Sequence, residues 1–486
     1  MKSEITIFLN GEKQVISDIR PDTTLLNWLR LKAHKKGTKE GCAEGDCGAC
    51  TVFMRRPKPL ADGTIGDEMR AVNACILFMP MLDGAVITTI EGIAGPNSEL
   101  HPVQHAMIAY HGAQCGFCTP GFVVSLYQMW RSGADFDDQS IDDGLAGNLC
   151  RCTGYGPIVS AAKALCDYEA PSFEQEVIAR EDAFLADQNK DSLALEYDGQ
   201  RYFAPRTAEQ AASLLAEHED AQILSGATDI GLWVTKQHRQ LPCLIAMNKI
   251  DELHHIRKTK QGWHIGACVT HEQALQDLRE APSDLLEIWR RFGSAQVRSS
   301  GTVCGNIANG SPIGDLSPCF LALGASVELQ SATQIKQMPL DDFFISYGKQ
   351  NRRKDEFVRS LLLPPLSDKT AFHAFKLSKR FDQDISAVLM ALCLSVEEDV
   401  ITEARLAFGG MAAIPKRAPV AEGFLKGKSL SSLRQYDFRP LIEQDFTPLS
   451  DVRASADYRI QAAANLVLKA VINQHDGSAA YLAGAI

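Results

Sequence analysis

The residues best suited to chemistry are cysteines: the chain has 14, and those from Cys42 to Cys152 fall into two tight sets while the others are scattered. Cys42, Cys47 and Cys50 have the C-x4-C-x2-C spacing with which one loop ligates a [2Fe–2S] cluster, and Cys75 supplies a distant fourth thiolate. Gly41, Gly45 and Gly48 permit the tight, positive-φ backbone that turns amides toward the cluster sulfides and so stabilises the more negative, reduced state. A structural zinc site is the competing reading, but it usually shows paired short C-x2–4-C spacings and no glycine-rich wrapping loop. The second set is Cys115 and Cys118 with Cys150 and Cys152. By spacing alone it suits a cluster, a zinc site or a dithiol centre. Thr119-Pro120 reads as an N-cap followed by proline at the first helical position, which puts Cys118 beside a helix N-terminus whose partial positive charge favours thiolate.

Elements must hold these loops. Residues 3–9 alternate like a strand, Asn10-Gly11-Glu12 is a turn, and Gln14-Val15-Ile16 returns as the second strand of a hairpin. A short amphipathic helix from Thr24 to Leu29 then leads into the first cysteine loop, a β-grasp-like, ferredoxin-type pattern expected over 1–90. The periodicity becomes helical after Gly92, with candidates at His101–His111, Gly121–Arg131 and Ile158–Leu165, so a helical domain is expected over 91–166. Residues 167–193 are charged and free of motifs, which reads as an exposed connector. An α/β region over 194–368 and a mixed region over 369–486, with a strand-like run at Ala387–Val396 and a helical one at Ala456–Val471, complete a multidomain α+β fold. A chain of 486 residues accommodates about three or four such domains.

The bulk properties exclude several classes. A net charge of -11 argues against a phosphate-backbone binder. No apolar run approaches the roughly 18 residues of a membrane span, and the N-terminus lacks the basic and apolar regions of a signal peptide. A cytoplasmic protein follows, and its remaining thiols, Cys166, Cys243, Cys268, Cys304, Cys319 and Cys393, read as core residues. His101, His105 and His111 read as histidines of a helix surface or interface.

Two further loops suit a phosphate. Ile223-Leu224 ends a short strand that runs into Ser225-Gly226-Ala227-Thr228-Asp229-Ile230-Gly231, whose small residues allow close backbone approach. The segment Ser299–Asp315 offers amides, hydroxyls and side-chain amides with almost no opposing charge. No G-x-G-x-x-G follows a strand, so a nucleotide here is not held in the Rossmann manner.

Three segments together resemble the iron–sulfur half of the molybdenum hydroxylases: Gly41 to Val52, Gln114 to Gly121, and Gly147 to Tyr155. The match covers all eight ligand positions, Cys42, Cys47, Cys50 and Cys75 for one [2Fe–2S] cluster and Cys115, Cys118, Cys150 and Cys152 for the other. It implies a ferredoxin-like domain followed by a four-helix bundle, with Gln114 near the pterin of a partner. The phosphate loops resemble the FAD domain of the xanthine dehydrogenase branch, a fold shared with vanillyl-alcohol-oxidase-type flavoproteins. That likeness implies FAD contacts from Ile223 to Ile230, from Phe292, and from Thr302, Gly305, Asn306, Asn309, Ser311 and Asp315, with Lys376 in a C-terminal flavin-associated domain. Ser225, Ala227 and Cys304 stand where many members have glycine.

The resemblance further implies a large molybdopterin-binding subunit, since the sequence ends at Ile486 with nothing to form that domain, and an (αβ)2 heterotetramer. Xanthine or hypoxanthine would be hydroxylated on the partner, and electrons would pass through the two clusters to FAD and then NAD+. FAD joins single-electron carriers to a hydride acceptor. Asp315 is a candidate to orient the nicotinamide. The alternatives are the equivalent subunit of a hydroxylase for an aldehyde or N-heterocycle, and a zinc-stabilised or redox-sensing protein without turnover.

Overall fold

Residues 2–59, 65–187 and 191–476 are described by a computed structural model; Met1 and residues 60–64 of the expected ferredoxin-like region, residues 188–190 of the expected connector and residues 477–486 of the expected C-terminal region lie outside them. Two compact units form. The first contains Met1–His255, Cys268–Gln273 and Gly293–Thr302, and the second Ile256–Ala267, Ala274–Phe292 and Val303–Ile486.

In the first unit, β1 (Ile5–Leu9), β2 (Glu12–Ile16), β3 (Thr51–Pro59), β4 (Ile65–Asn73) and β5 (Val86–Thr88) make a mixed sheet in the order β2-β1-β5-β3-β4. Asn10 at φ 50° and Gly11 at φ 86° close the first hairpin, as a two-residue turn with left-handed centres requires. Helix α1 (Leu25–Leu31) starts where Thr24 accepts the Asn27 amide at 3.2 Å, and it buries Leu25, Leu26, Trp28 and Leu29 against the sheet. The cysteine loop 41–50 runs directly into β3, so the sheet fixes its exit.

Four helices follow: α2 (Pro102–Ala109), α3 (Thr119–Arg131), α4 (Asp138–Leu145) and α5 (Gly156–Ala164). Val103, Phe122, Leu126, Ile141 and Ile158 meet in one core. The sequence reading did not include α4, because its only buried apolar residues are Ile141 and Leu145. Asp137 caps it, accepting the Ser140 amide at 2.7 Å. His101 is not a surface residue: it is 1% exposed, caps α2 by accepting the Val103 amide, and lies 3.5 Å from Glu174.

The expected connector contains a helix, α6 (Glu174–Ala186). Its charge pattern reads as solvated because the partners are far away in sequence. Glu181, 2% exposed, bridges Arg55 at 3.1 Å and Arg131 at 2.8 Å, and Phe184 stacks on Phe8 with ring centroids 5.0 Å apart. The unit is completed by β6 (Leu193–Tyr197), β7 (Gln200–Ala204), β8 (Ala221–Leu224) and β9 (Cys243–Ala246), ordered β6-β7-β9-β8, with β9 parallel to both neighbours.

Among its described residues the second unit has two larger antiparallel sheets and one two-stranded antiparallel pair. One is ordered β10-β11-β16-β12-β13, from β10 (Ile256–Thr259), β11 (Gly262–Gly266), β12 (Ser326–Gln330), β13 (Ile335–Pro339) and β16 (Phe357–Leu363), with the small pair β14 (Phe344–Ser346) and β15 (Lys349–Gln350) beside them in sequence. The other runs β17 (Thr370–Leu377), β18 (Val388–Glu397), β19 (Val400–Gly409) and β20 (Lys416–Arg417) in chain order. The long helix Ala456–Asp476 packs Ile460, Ala463, Val467 and Val471 into the core of that sheet. The expected strand at Ala387–Val396 and helix at Ala456–Val471 thus form with shifted ends. Of the six scattered thiols, five are buried, but Cys166 is exposed and donates to the Asp135 carbonyl at 3.5 Å. Among the described residues no helix is long and apolar enough to cross a membrane.

Removing one member of a buried ion network leaves charges without compensation. Glu181→Ala, which strands Arg131 and deprives Arg55 of one partner, is expected to cost about 3–5 kcal/mol, read as a lowered urea midpoint.

Candidate functional site

The four thiols of the first set adjoin one another. Cys42 receives the amides of Glu44, Asp46 and Cys47 at 3.4, 3.3 and 3.4 Å. Hydrogen bonds from the Cys47 and Cys75 thiols add to these and hold the Cys42 thiol far below its usual range, while Cys47 and Cys75 are pushed up by sharing with Cys42. Cys75 also touches Cys50, and both are buried. Gly45 and Gly48 are left-handed, at φ 81° and 71°, and a Cβ on Gly41 would lie 2.7 Å from the Cys47 sulfur. Asn73 braces the loop, donating to the Gly45 carbonyl at 2.7 Å. Adjoining thiols with one thiolate already stabilised by three amides form a donor set from which a cationic centre displaces the other protons, so these residues fit a cluster. Sequence reasoning missed Lys236, whose ammonium donates to the Cys42 carbonyl and lies 3.5 Å from Glu44. Nothing local to Lys236 signals this.

In the second set the free thiols of Cys115 and Cys152 hydrogen-bond to each other, as do those of Cys118 and Cys150. Helix α3 begins one residue earlier than expected: Cys118 is the cap, and the buried hydroxyl of Thr119 caps nothing. The helix terminus does not lower the Cys118 thiol, which burial and then Cys150 push up to about 12. Cys150 is lowered despite its burial, because the Thr153 hydroxyl and amide approach it at 3.1 and 3.4 Å. Cys115 is lowered by the Phe117 amide and then by Cys152. Gln114, Cys115 and Cys152 are exposed, with Phe117 and Tyr155 beside them in sequence and also exposed.

The phosphate-loop residues are divided between the units. In the first, Ile223 and Leu224 end β8, the turn passes through Ala227 at φ 61°, and Ile230 starts a short helix, Ile230–Thr235. A Cβ on Gly226 would fall 2.0 Å from the Ser300 carbonyl, so two backbones meet there. Thr302 is buried and bridges Thr270. In the second unit, the stretch read as one long loop contains the helices Val303–Asn309 and Leu316–Ala322. Gly305, Asn306 and Asn309 lie on the former, Ser311 and Asp315 follow it, and Phe292 follows the helix Ser283–Arg290. The Asn306 side-chain oxygen is buried without a hydrogen-bond partner, an acceptor open to a ligand's donor. Lys376 is a buried lysine on β17, 2.5 Å from Asp315, whose other oxygen accepts from Ser386 at 2.5 Å. Asp315 thereby holds Lys376, and both its oxygens are engaged.

A cleft of about 30 Å³ in the first unit, room for about two waters, is lined by Ser225, Gly226, Ser300 and Thr302 with Arg56, Arg70 and His254. Glu68 pairs with Arg70 and, at 2.8 Å, with Arg56. Burial opposes ionisation of Glu68, but Arg70 and Arg56 prevail and hold it at about 2. Burial and Arg56 push His254 down to about 3.

These four regions coincide with matches to known families. A 2Fe-2S iron–sulfur cluster binding domain matches residues 7–79, a [2Fe-2S] binding domain 89–163, an FAD binding domain in molybdopterin dehydrogenase 195–366, and a CO dehydrogenase flavoprotein C-terminal domain 373–474. The chain belongs to the molybdenum hydroxylase family, as its iron–sulfur and flavin part. It carries two [2Fe–2S]-binding domains and an FAD-binding domain. The chain is 31% identical to xanthine dehydrogenase of Oryza sativa subsp. japonica over 87% of its length, and 27% identical to aldehyde oxidase 2 of Rattus norvegicus over 94%. It spans only 36% and 38% of those proteins. A carbon monoxide dehydrogenase from Hydrogenophaga pseudoflava, lacking the Mo-pyranopterin moiety of its cofactor, matches 55% of this chain and 94% of its own at 25% identity and a TM-score of 0.52. Quinoline 2-oxidoreductase from Pseudomonas putida 86 shares the fold, with a TM-score of 0.52.

His254 binds a proton near 6.5 when unfolded and near 3 when folded, so folding stability falls as pH drops through that window. Glu68, at 4.5 unfolded and about 2 folded, adds a second loss from 4.5 downward. Urea titrations against pH are expected to show His254→Gln flattening the upper part alone. Lys236→Met removes a positive charge beside Cys42, and redox titration of the nearby centre is expected to show a potential lower by about 20 mV, the equivalent of about 0.5 kcal/mol.

Proposed function

We propose that this chain is the electron-transfer part of a xanthine dehydrogenase, working with a separate large molybdopterin-binding subunit in a cytoplasmic (αβ)2 assembly that oxidises hypoxanthine and xanthine with NAD+ as acceptor. The observation that carries the reading is the pair of four-thiol sets in one compact unit, in a chain whose curated relatives include xanthine dehydrogenase at 31% identity. Cys42, Cys47, Cys50 and Cys75 hold one cluster, and Cys115, Cys118, Cys150 and Cys152 the other. When bound, the clusters supply single-electron transfer and FAD the exchange between one-electron and hydride chemistry.

The chain's own residues set the terms. Three amides aimed at Cys42 favour negative charge at the first set. The exposure of Cys115, Cys152 and Gln114 suits the second set to receive electrons from a partner. On this reading the FAD contacts are Ile223 to Ile230 and Thr302 in the first unit, and Phe292, Gly305, Asn306, Asn309, Ser311, Asp315 and Lys376 in the second, where the Lys376–Asp315 pair keeps an ammonium oriented in a buried place. A second reading, a hydroxylase for aldehydes or N-heterocycles, draws on the aldehyde oxidase and quinoline 2-oxidoreductase likenesses.

Co-purification with the partner, followed by metal and flavin analysis, is expected to give about four iron and one FAD per chain. Assays with xanthine, an aldehyde and quinoline then decide the substrate: turnover of xanthine with NAD+ supports the proposal, and turnover of the others alone replaces it with the second reading. Zinc without iron or acid-labile sulfide would defeat both.

A further inference from the structure

In the first unit the phosphate-loop contacts lie on two backbones that meet, the turn at Ser225–Gly226 and the segment Ser299–Thr302, with the Ser300 carbonyl where a Gly226 Cβ would stand. A third segment supports the second. The His271 amide donates to the Gly301 carbonyl at 3.0 Å, and Thr270 bridges Thr302 as in an antiparallel pair. Serine, glycine and threonine predominate here, so apolar burial has little hold on the spacing of these segments.

Arg70 supplies that hold. It is buried, it comes from β4 of the iron–sulfur sheet, and it touches both members of the pair. One guanidinium nitrogen donates to the Ser299 carbonyl, and the other donates to Glu68 and, at 3.4 Å, to the Thr270 hydroxyl. Glu68 also accepts from Arg56 at 2.8 Å, so its carboxylate anchors Arg70 from behind. Ser299 lies in the last turn of the helix Ala295–Ser300, where a carbonyl has no partner within the helix and a cation is favourable. Burial pushes the Arg70 guanidinium down to about 10, so it keeps its charge at neutral pH. Arg70, Thr270, Ser300 and Thr302 line the same small cleft as Ser225 and Gly226. A buried ion set gains little over an apolar filling of the same volume, so what it contributes is the geometry it imposes.

We propose that Arg70 is a positioning residue for the flavin: by clamping Ser299 and Thr270 it sets the distance between the Ser225–Gly226 turn and the Ser300–Thr302 backbone, and with it the fit of the FAD phosphates to these contacts. Arg70 acts through the backbone it holds, and Glu68 acts through Arg70. The inference rests on the flavin reading above and adds to it a residue of the iron–sulfur sheet.

The experiment uses the full chain, freed of flavin with its iron retained and titrated with FAD, the quenching of flavin fluorescence giving Kd. Wild type, Arg70→Met, Arg70→Lys and Glu68→Gln are compared, with Glu181→Ala as a destabilised control away from the flavin contacts; iron content and the thermal transition are recorded for each. Arg70→Met, which orphans the Ser299 carbonyl, is expected to bind FAD about tenfold more weakly. Arg70→Lys, which keeps a donor for that carbonyl, is expected to recover most of the loss, and Glu181→Ala to bind FAD as the wild type does even where its melting temperature falls as far. Wild-type affinity in Arg70→Met overturns the proposal, as does an equal weakening in Glu181→Ala or a lysine variant as weak as the methionine one. Where Arg70→Met loses its iron, Glu68→Gln decides, because it keeps the guanidinium and removes the charge that anchors it: weakened FAD binding supports the clamp, and wild-type affinity overturns it. A wild-type chain that takes up no FAD overturns the flavin reading on which the proposal rests.

Discussion

The close approach of Gly48 to Gly147 and Asn148 is the constraint on which the rest of the electron-transfer unit depends. Loops that ligate metal carry few apolar side chains, so burial cannot set their positions as it sets those of β1 or α3. Their separation is fixed by backbone contact and by hydrogen bonds, each worth only about 1 kcal/mol net when made but about 1–3 kcal/mol when a buried partner is orphaned. Thr51, Ser125, Asn148 and Gln296, all buried, hydrogen-bond around that contact, although the Gln296 side-chain oxygen keeps no partner. Glycine is required at Gly48 for two reasons at once, a left-handed φ of 71° and a carbonyl where a Cβ would go.

Charge is handled by the same logic at larger scale. Arg55, Glu181 and Arg131 form one buried network in the first unit, and Arg56, Glu68 and Arg70 another. Each places one carboxylate between two guanidiniums; the first joins segments 126 and 50 residues apart, whereas the second lies within the paired strands β3 and β4. Such networks add little net stability compared with an apolar filling of the same volume, but they penalise any arrangement that breaks them. They also explain why a charged helix, α6, is an integral part of the unit and not an exposed tether. In the second unit the Lys376–Asp315–Ser386 set does the same on a smaller scale, turning a strand lysine into an oriented buried cation.

The thiol sets show how chemistry divides between local and distant causes. At Cys42 the lowered affinity for protons comes first from the Cys47 thiol of the same loop and then from the distant Cys75 thiol, with the loop amides adding to both. At Cys118 the local signal, a helix N-terminus, points the same way but is overridden by burial and by Cys150, which arrives from a later segment. The helix starts one residue before the Thr119 cap that local sequence favours, because the backbone at Cys118 already takes the cap position.

By itself the sequence determined the spacing of Cys42, Cys47 and Cys50, the turn at Asn10-Gly11, the helix faces and the small-residue loops, because each depends on neighbours within a few positions. It carried the eight thiols and the polar loops of a flavin-binding segment. The tertiary structure alone decided that Glu181 and His101 are buried, that α4 exists with only two buried apolar residues, that Lys376 is paired, and that Gln296 reaches Asn148. These are outcomes of long-range contact, where a side chain's environment is set by a segment up to hundreds of residues away and leaves no trace in local periodicity.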